Sequence, residues 1–160
     1  MDETLETRVG QALLARGWTV ALGESCTGGL VGHRLTQVPG SSEYFLGGVV
    51  AYAYDAKERL LGVRHQTLYD HGAVSRETAA EMAHGARVAF GADLGVAVTG
   101  IAGPGGGMPD KPVGLTWIAV STRSGDLAER YQWQGDRTTI KASASDAALE
   151  LILRVLSEQP

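Results

Sequence analysis

The sequence has little of several features that mark specialised classes of protein. Its one cysteine, Cys26, cannot form an intramolecular disulfide, as is typical of a reducing compartment. The net charge of -4 leaves no excess of cationic surface for nucleic acid. No apolar run approaches the roughly 20 residues of a membrane-spanning helix, and the acidic N-terminus lacks the basic region of a signal peptide. We therefore expect a cytoplasmic protein with one domain, residues 1–160, that binds neither nucleic acid nor membrane.

Metal and dinucleotide motifs are also missing. The four histidines form no HxH, HExxH or Cys-His pattern, which argues against a zinc site. The first predicted strand is followed by neither GxxxxGK[ST] nor GxGxxG, so a P-loop or a Rossmann-type dinucleotide site has no support. We expect no metal and no cofactor.

Glycine, by contrast, is abundant and clustered. The chain contains 22 glycines, about twice the average share, and they concentrate at 28–29, 47–48 and 100–107. Because glycine costs backbone entropy on folding, such clusters at strand ends indicate tight turns or close approach of the backbone to a ligand.

The hydrophobic pattern alternates between helical and strand periods. It predicts helices at 3–16, 30–38, 55–61, 76–90 and 137–157, and strands at 18–24, 45–54, 94–99, 113–122 and 127–134. The last two strands are joined by a tight turn and form a hairpin. Helices alternating with apolar strands predict an α/β fold, with a mixed sheet covered by helices on both faces.

The segment Glu24-Ser25-Cys26-Thr27-Gly28-Gly29 lies where the first strand ends and the second helix begins. Free N–H groups and hydroxyl donors at such a position favour an anion, although Ser25 or Thr27 could equally be an ordinary N-cap. Cys26 is a weaker candidate, because a thiol nucleophile would need a partner such as His33.

A second segment contains Ser42, Tyr52 and Lys57. A serine hydroxyl needs a base, and a desolvated lysine can act as one. Ser42 precedes a predicted strand that Lys57 follows, so a ten-residue strand would hold them at opposite ends. They can meet only if the strand is shorter, the loop folds back or a neighbouring subunit contributes.

Two further segments could bind a ligand. The glycine-rich run that begins at Thr99 and Gly100 follows a buried strand, where ligands of open α/β sheets bind; a flexible loop would look the same. Arg137 follows the N-cap candidate Asp136, and a cation there opposes the helix dipole. A bound phosphate would explain Arg137, as would a solvated surface residue.

Together these segments resemble the CinA C-terminal domain family. The resemblance rests on ESCTGG at 24–29, PGSSEYFLGGVVAYAYDAK at 39–57, GAVS at 72–75, VTGIAGPGGG at 98–107, KPVG at 111–114 and GDR at 135–137, in that order. The resemblance covers about residues 5–155, and the family includes the nicotinamide-nucleotide amidohydrolases. It implies a three-layer α/β/α sandwich with a mixed, mostly parallel sheet, a homo-oligomer (dimer or larger) and no metal.

The resemblance also implies an activity, hydrolysis of nicotinamide mononucleotide (NMN) to nicotinic acid mononucleotide and ammonia. It places the nucleophile on Ser42, the base on Lys57 and an assisting hydroxyl on Tyr52. The nucleotide site would be lined by Ser25, Thr27, Gly28, Gly29, Thr99, Gly100 and Arg137, with Arg137 at the phosphate. Two other functions stay open: a nucleotide-binding module that acts through a protein partner in competence or DNA damage, and a scaffold for oligomerisation that binds no ligand.

Overall fold

The structure is a computed structural model that describes residues 3–159, and a five-stranded sheet lies at its centre. The strands are β1 (Val20–Glu24), β2 (Phe45–Val50), β3 (Leu94–Gly100), β4 (Leu115–Thr122) and β5 (Gly125–Gln132). Their spatial order is β2-β1-β3-β4-β5. β1 is parallel to both β2 and β3, whereas β4 is antiparallel to both β3 and β5. The expected mixed sheet is confirmed, but it is parallel only across β2, β1 and β3.

Helices cover both faces of this sheet. They are α1 (Leu5–Arg16), α2 (Leu30–Thr36), α3 (Tyr54–Leu61), α4 (His65–His71), α5 (Arg76–Phe90) and α6 (Arg137–Glu158). One core joins α1, α2 and α6 to alternate strand residues such as Leu22 and Val98. A second core joins α3, α4 and α5 to the intervening residues, among them Ala21 and Ala97. The three-layer α/β/α sandwich is therefore confirmed. Within residues 3–159, no helix combines the length and hydropathy that a bilayer crossing requires.

The main differences from the sequence prediction concern the end of β2, the hairpin turn and one additional helix. β2 ends at Val50 and not at residue 54, because the chain turns there to begin α3. The hairpin turn between β4 and β5 contains only Arg123 and Ser124, since Thr122 already pairs with Gly125. The helix α4 was not predicted, because only Thr67 and Leu68 of its seven residues are buried and no apolar stripe results.

Small residues bring α5 unusually close to its neighbours. A Cβ on Gly95 of β3 would lie 2.1 Å from the Ala83 carbonyl oxygen of α5. A Cβ on Gly85 of α5 would lie 1.7 Å from the Leu61 carbonyl oxygen at the end of α3. Both positions require glycine, because the neighbouring atoms are backbone atoms that cannot move independently.

This close packing predicts a large effect of one methyl group. We expect Gly85→Ala to lower the free energy of unfolding by about 3 kcal/mol, because α3 and α5 must separate. Gly105→Ala is the matched control, since a Cβ there meets no atom within 4 Å, and it should change stability by less than about 0.5 kcal/mol. Urea unfolding followed by circular dichroism measures both, and equal stability of the two variants would contradict the packing argument.

The carboxyl ends of β1, β2 and β3 meet at one edge of the sheet. The turn 25–29, the segment 51–53 and the loop 101–114 leave the sheet at this edge, and the first residue of α6, Arg137, contacts two of them. The candidate residues other than Ser42 therefore converge where open α/β sheets bind their ligands.

Candidate active site

Ser25 is the first residue after β1, and it remains in register with β3. Its N–H donates to the Val98 carbonyl (2.9 Å), which extends the parallel ladder by one step. Because side chains alternate along a strand, Ser25 points to the face of α3 and α5, as Ala21 does. Its side chain is buried there, and the whole residue is 7% exposed.

Lys57 of α3 reaches Ser25 from the same face. The lysine is 0% exposed, and its Nζ lies 2.9 Å from Ser25 Oγ, 2.7 Å from the Ala51 carbonyl and 3.0 Å from the Tyr52 carbonyl. No carboxylate contacts Nζ among the described residues. Burial lowers the pKa of Lys57 to about 8, because a desolvated ammonium without a counter-ion is unfavourable.

This arrangement directs the nitrogen of Lys57 at Ser25. The two carbonyl oxygens can only accept, so they hold two of the lysine's hydrogens. In the neutral amine the remaining tetrahedral position is a lone pair, and it faces Ser25 Oγ. A neutral Lys57 can therefore accept the hydroxyl proton, which is the requirement for a serine nucleophile.

Ser42 lies at the opposite edge of the sheet. It belongs to a short 3-10 helix (Ser41–Glu43) before β2, whereas Lys57 follows the other end of that strand. A strand of six residues spans about 17 Å, and the loop does not fold back. The expected pairing of Ser42 with Lys57 is therefore wrong within one chain, and the lysine pairs with Ser25.

Tyr52 contacts Lys57 through its backbone and not through its hydroxyl. Its carbonyl accepts from Lys57 Nζ, while its half-exposed ring extends outward. The Tyr52 hydroxyl accepts from Arg137 Nη2 (3.0 Å). The expected role of this hydroxyl beside the lysine is not what the structure shows, because the carbonyl occupies that position.

Arg137 forms a bridge at the same edge. Besides Tyr52, it donates through Nη1 to the Gly103 carbonyl (2.7 Å), although the side chain is exposed. Lys141 follows one helical turn later, and its Nζ lies 3.8 Å from the position that a Cβ on Gly28 would occupy. Sequence reasoning missed Lys141, although its i+4 spacing from Arg137 predicts a shared helix face.

The turn after Ser25 carries unpaired donors. Gly28 N–H donates to the Ser25 carbonyl (3.1 Å), but the N–H groups of Cys26 and Thr27 donate to no other residue within residues 3–159. Gly28 and Gly29 adopt positive φ angles of 60° and 103°, which glycine accommodates without strain. The turn can therefore present two backbone N–H groups next to the serine.

Thr99 and Gly100 have different surroundings. Continuing the β1–β3 register places Thr99 beside Ser25 on the same face, and its hydroxyl donates to the Ala73 carbonyl (2.8 Å). Gly100 belongs to the other face, where a Cβ would lie 2.7 Å from Thr116 Oγ1 and 3.2 Å from Cys26 Sγ. Gly100 is therefore required for packing in this structure.

The thiol alternative is wrong. Cys26 is buried in the core on the α6 side, and burial raises the pKa of its thiol to about 12. His33 is exposed and lies within hydrogen-bonding distance of Gln37. The described part of the chain holds no group of three or more His, Cys, Asp or Glu side chains that could bind a metal ion.

Comparisons with known proteins agree with the motifs and the fold. The family profile described as CinA C-terminal domain matches residues 2–156. A CinA-like protein of Salinibacter ruber is 53% identical over 156 residues, which cover 98% of this chain and 38% of that protein. The chain thus spans less than two fifths of the length of such curated relatives.

Solved structures match over nearly their whole length. A competence/damage inducible protein of Agrobacterium tumefaciens is 44% identical, with a TM-score of 0.92 over 96% of this chain and 94% of the other. A CinA superfamily protein of Klebsiella pneumoniae is 36% identical, with a TM-score of 0.94 over 97% of each chain.

Proposed function

Because this chain belongs to the CinA C-terminal domain family, we propose that it hydrolyses the carboxamide of NMN, with Ser25 as the nucleophile and Lys57 as its base. The observation that supports this proposal most is the 2.9 Å contact between Ser25 Oγ and the fully buried Lys57 Nζ. The choice of NMN rests on the family resemblance. The choice of the two residues rests on their geometry.

The first step is attack of Ser25 Oγ on the carboxamide carbon. Neutral Lys57 takes the hydroxyl proton as the new C–O bond forms, and the carbonyl oxygen becomes an oxyanion. The N–H groups of Cys26 and Thr27, which follow the nucleophile in the chain, would stabilise that charge, as the N–H of the residue after the nucleophile does in other serine hydrolases. Lys57 then returns its proton to the departing nitrogen, and ammonia leaves.

The second step releases the product. Water attacks the Ser25 ester while Lys57 accepts a proton from it, and a second tetrahedral intermediate forms. Its collapse breaks the ester bond and returns the proton to Ser25 Oγ, so nicotinic acid mononucleotide is released and the enzyme is restored. Each step moves one proton through Lys57, and none requires a cofactor.

Arg137 and Lys141 would bind the phosphate of the substrate. Both lie on the first turns of α6, where Arg137 contacts Tyr52 and Gly103 and Lys141 lies beside Gly28. Neither has a carboxylate partner among the described residues. Arg137 can present two N–H groups to phosphate oxygens once it releases Tyr52 and Gly103. The proposed site thus has a reaction centre at Ser25 and an anion-binding side at α6.

The test is ammonia release from NMN by the purified protein, with nicotinic acid mononucleotide identified by mass spectrometry. Stoichiometric formation of both products is expected. A folded protein that is stabilised by NMN in a thermal shift assay but releases no ammonia would contradict the proposal and favour the binding module. Absence of both binding and turnover would favour the scaffold.

Arg137 provides a separate prediction about the phosphate. Arg137→Ala should raise KM for NMN by about tenfold to 100-fold with little change in kcat, because the contact is present in both ground and transition states. The riboside, which lacks the phosphate, should be turned over equally by both proteins. The exposed Arg123 of the hairpin turn provides the matched control Arg123→Ala, and equal KM values in all three proteins would remove Arg137 from the site.

We also propose a cytoplasmic homo-oligomer that acts on a small nucleotide and binds no nucleic acid. Composition and the family resemblance support these points.

A further inference from the structure

Glu24 is a buried carboxylate that the proposed mechanism does not use. The residue is 4% exposed, and no cationic side chain contacts it within residues 3–159. Its Oε1 accepts from Thr27 Oγ1 (2.6 Å) and from Val31 N–H (2.9 Å), and its Oε2 accepts from Gly32 N–H (3.0 Å). A buried carboxylate without a cation is retained only where such donors compensate its desolvation.

These three bonds enclose the turn that carries the nucleophile. They connect the last residue of β1 to Thr27 and to the first turn of α2, so that residues 25–29 lie between two fixed points. Within the turn itself, the backbone contributes only two bonds, from Gly28 N–H to the Ser25 carbonyl and from Leu30 N–H to the Thr27 carbonyl. Two consecutive glycines add no stiffness, so the conformation of the turn depends on Glu24.

Glu24 acts from the side of the strand opposite to the reaction centre. Side chains alternate along β1, so the carboxylate lies on the α6 side while Ser25 meets Lys57 on the α3 side. The carboxylate therefore reaches the turn without contacting Ser25 or Lys57.

We infer that Glu24 is a positioning residue, which holds the N–H groups of Cys26 and Thr27 where they stabilise the oxyanion formed at Ser25. The inference deepens the proposed function and rests on it for Ser25 as the nucleophile, but not for NMN as the substrate. The inference also predicts the direction of the change in kcat. A negative charge near the oxyanion is unfavourable in itself, so neutralising Glu24 would raise kcat if charge alone mattered, whereas loss of positioning lowers kcat.

Two variants test this role. In Glu24→Gln the amide NH2 faces at least one backbone N–H of α2, and in Thr27→Val the hydroxyl bond to Glu24 is lost with little change of shape. We expect kcat for NMN to fall by about 100-fold in Glu24→Gln, with KM within about threefold of the wild type, because the contact matters mainly in the transition state. We also expect kcat for NMN to be lower in Thr27→Val than in the wild type.

The matched control is Asp93→Ala at the opposite edge of the sheet. One oxygen of the Asp93 carboxylate accepts from the N–H and the hydroxyl of Thr19 (2.9 and 3.1 Å), and alanine removes both bonds without touching the site. Asp93→Ala should lower the unfolding temperature and leave kcat unchanged. If Glu24→Gln and Thr27→Val keep the wild-type kcat, or lose it only in proportion to their unfolded fraction, the inference is wrong.

Labelling by a fluorophosphonate separates this inference from the choice of substrate. The probe reacts with an activated serine through an oxyanion-like transition state, and the mass of the intact protein reports the reaction without NMN. Ser25→Ala should not be labelled, and Glu24→Gln should be labelled about 100-fold more slowly than the wild type. If the wild type does not hydrolyse NMN but is labelled faster than Glu24→Gln, the positioning role of Glu24 is supported and NMN is rejected as the substrate. Equal labelling of Glu24→Gln and the wild type would reject Glu24.

Discussion

Replacement of Ser25 by alanine is expected to lower ammonia release from NMN by about 10³-fold or more, because no other group can form the acyl-enzyme at this position. The hydroxyl lies 2.9 Å from Lys57 Nζ, at the carboxyl end of β1. Alanine removes one oxygen atom and leaves the ladder bond from the Ser25 N–H to Val98 in place. The remaining activity would come from water bound near the lysine and the free N–H groups.

Ser42→Ala is the informative comparison for this experiment. Ser42 is exposed, and its hydroxyl has no hydrogen-bond partner within residues 3–159. We expect its activity to stay within about twofold of the wild type, as for other surface substitutions. Both variants should unfold within about 2 °C of the wild type. A folded Ser42→Ala protein without activity would overturn the assignment of Ser25 and indicate that a second copy supplies Ser42.

The contrast between these serines shows what the sequence could and could not predict about the site. Lys57 and the segment of Ser25 were both recognised as candidates, but the pairing was not. Ser42 is closer to Lys57 along the chain, yet β2 holds them at its two ends. Ser25 is more distant in sequence, but it follows a strand that lies parallel and adjacent to β2. The pairing therefore depends on strand order, which the local pattern does not contain.

The fold was predicted well where a local signal is complete. The helix α5 begins and ends as predicted, because Ser75 caps its N-terminus through the Thr78 N–H and Gly91 ends it in the left-handed conformation. β3 is buried at nearly every position, and its apolar run was recognised. The helix α4 was missed because its position depends on packing against α5, which no periodic stripe in its sequence reveals.

Activity should depend on pH through one group with an apparent pKa of about 8, and it should rise as the pH increases through that value. Only the neutral amine of Lys57 has a lone pair for the Ser25 proton, and burial lowers the pKa of Lys57 to about 8. The dependence of kcat/KM on pH reports this group in the free enzyme. If kcat/KM instead rises with an apparent pKa near the ordinary lysine value of 10.5, Lys57 is solvated, and its role as the base would be rejected.

Lys57→Arg should lose at least about 10³-fold in kcat, although it keeps a positive charge and hydrogen-bond donors. A guanidinium has no accessible lone pair, since its pKa exceeds about 12. Lys111→Arg is the matched control, because Lys111 Nζ donates to the His71 carbonyl on the surface, and an arginine can keep that bond. The control should retain both the activity and the rise of kcat/KM with an apparent pKa of about 8.

The same proton gives a second measurement that does not require a substrate. Because the pKa of Lys57 is lower in the folded chain than in the unfolded one, the unfolded state binds more protons between about pH 8 and pH 10.5. The contribution of Lys57 to the free energy of unfolding therefore increases with pH across this window. In Lys57→Met this increase should disappear, and the difference between the two proteins isolates the lysine from every other titrating group. The difference in the free energy of unfolding between the wild type and Lys57→Met could be independent of pH while the kcat/KM of the wild type still rises near pH 8. In that case a group other than Lys57 accepts the proton of Ser25.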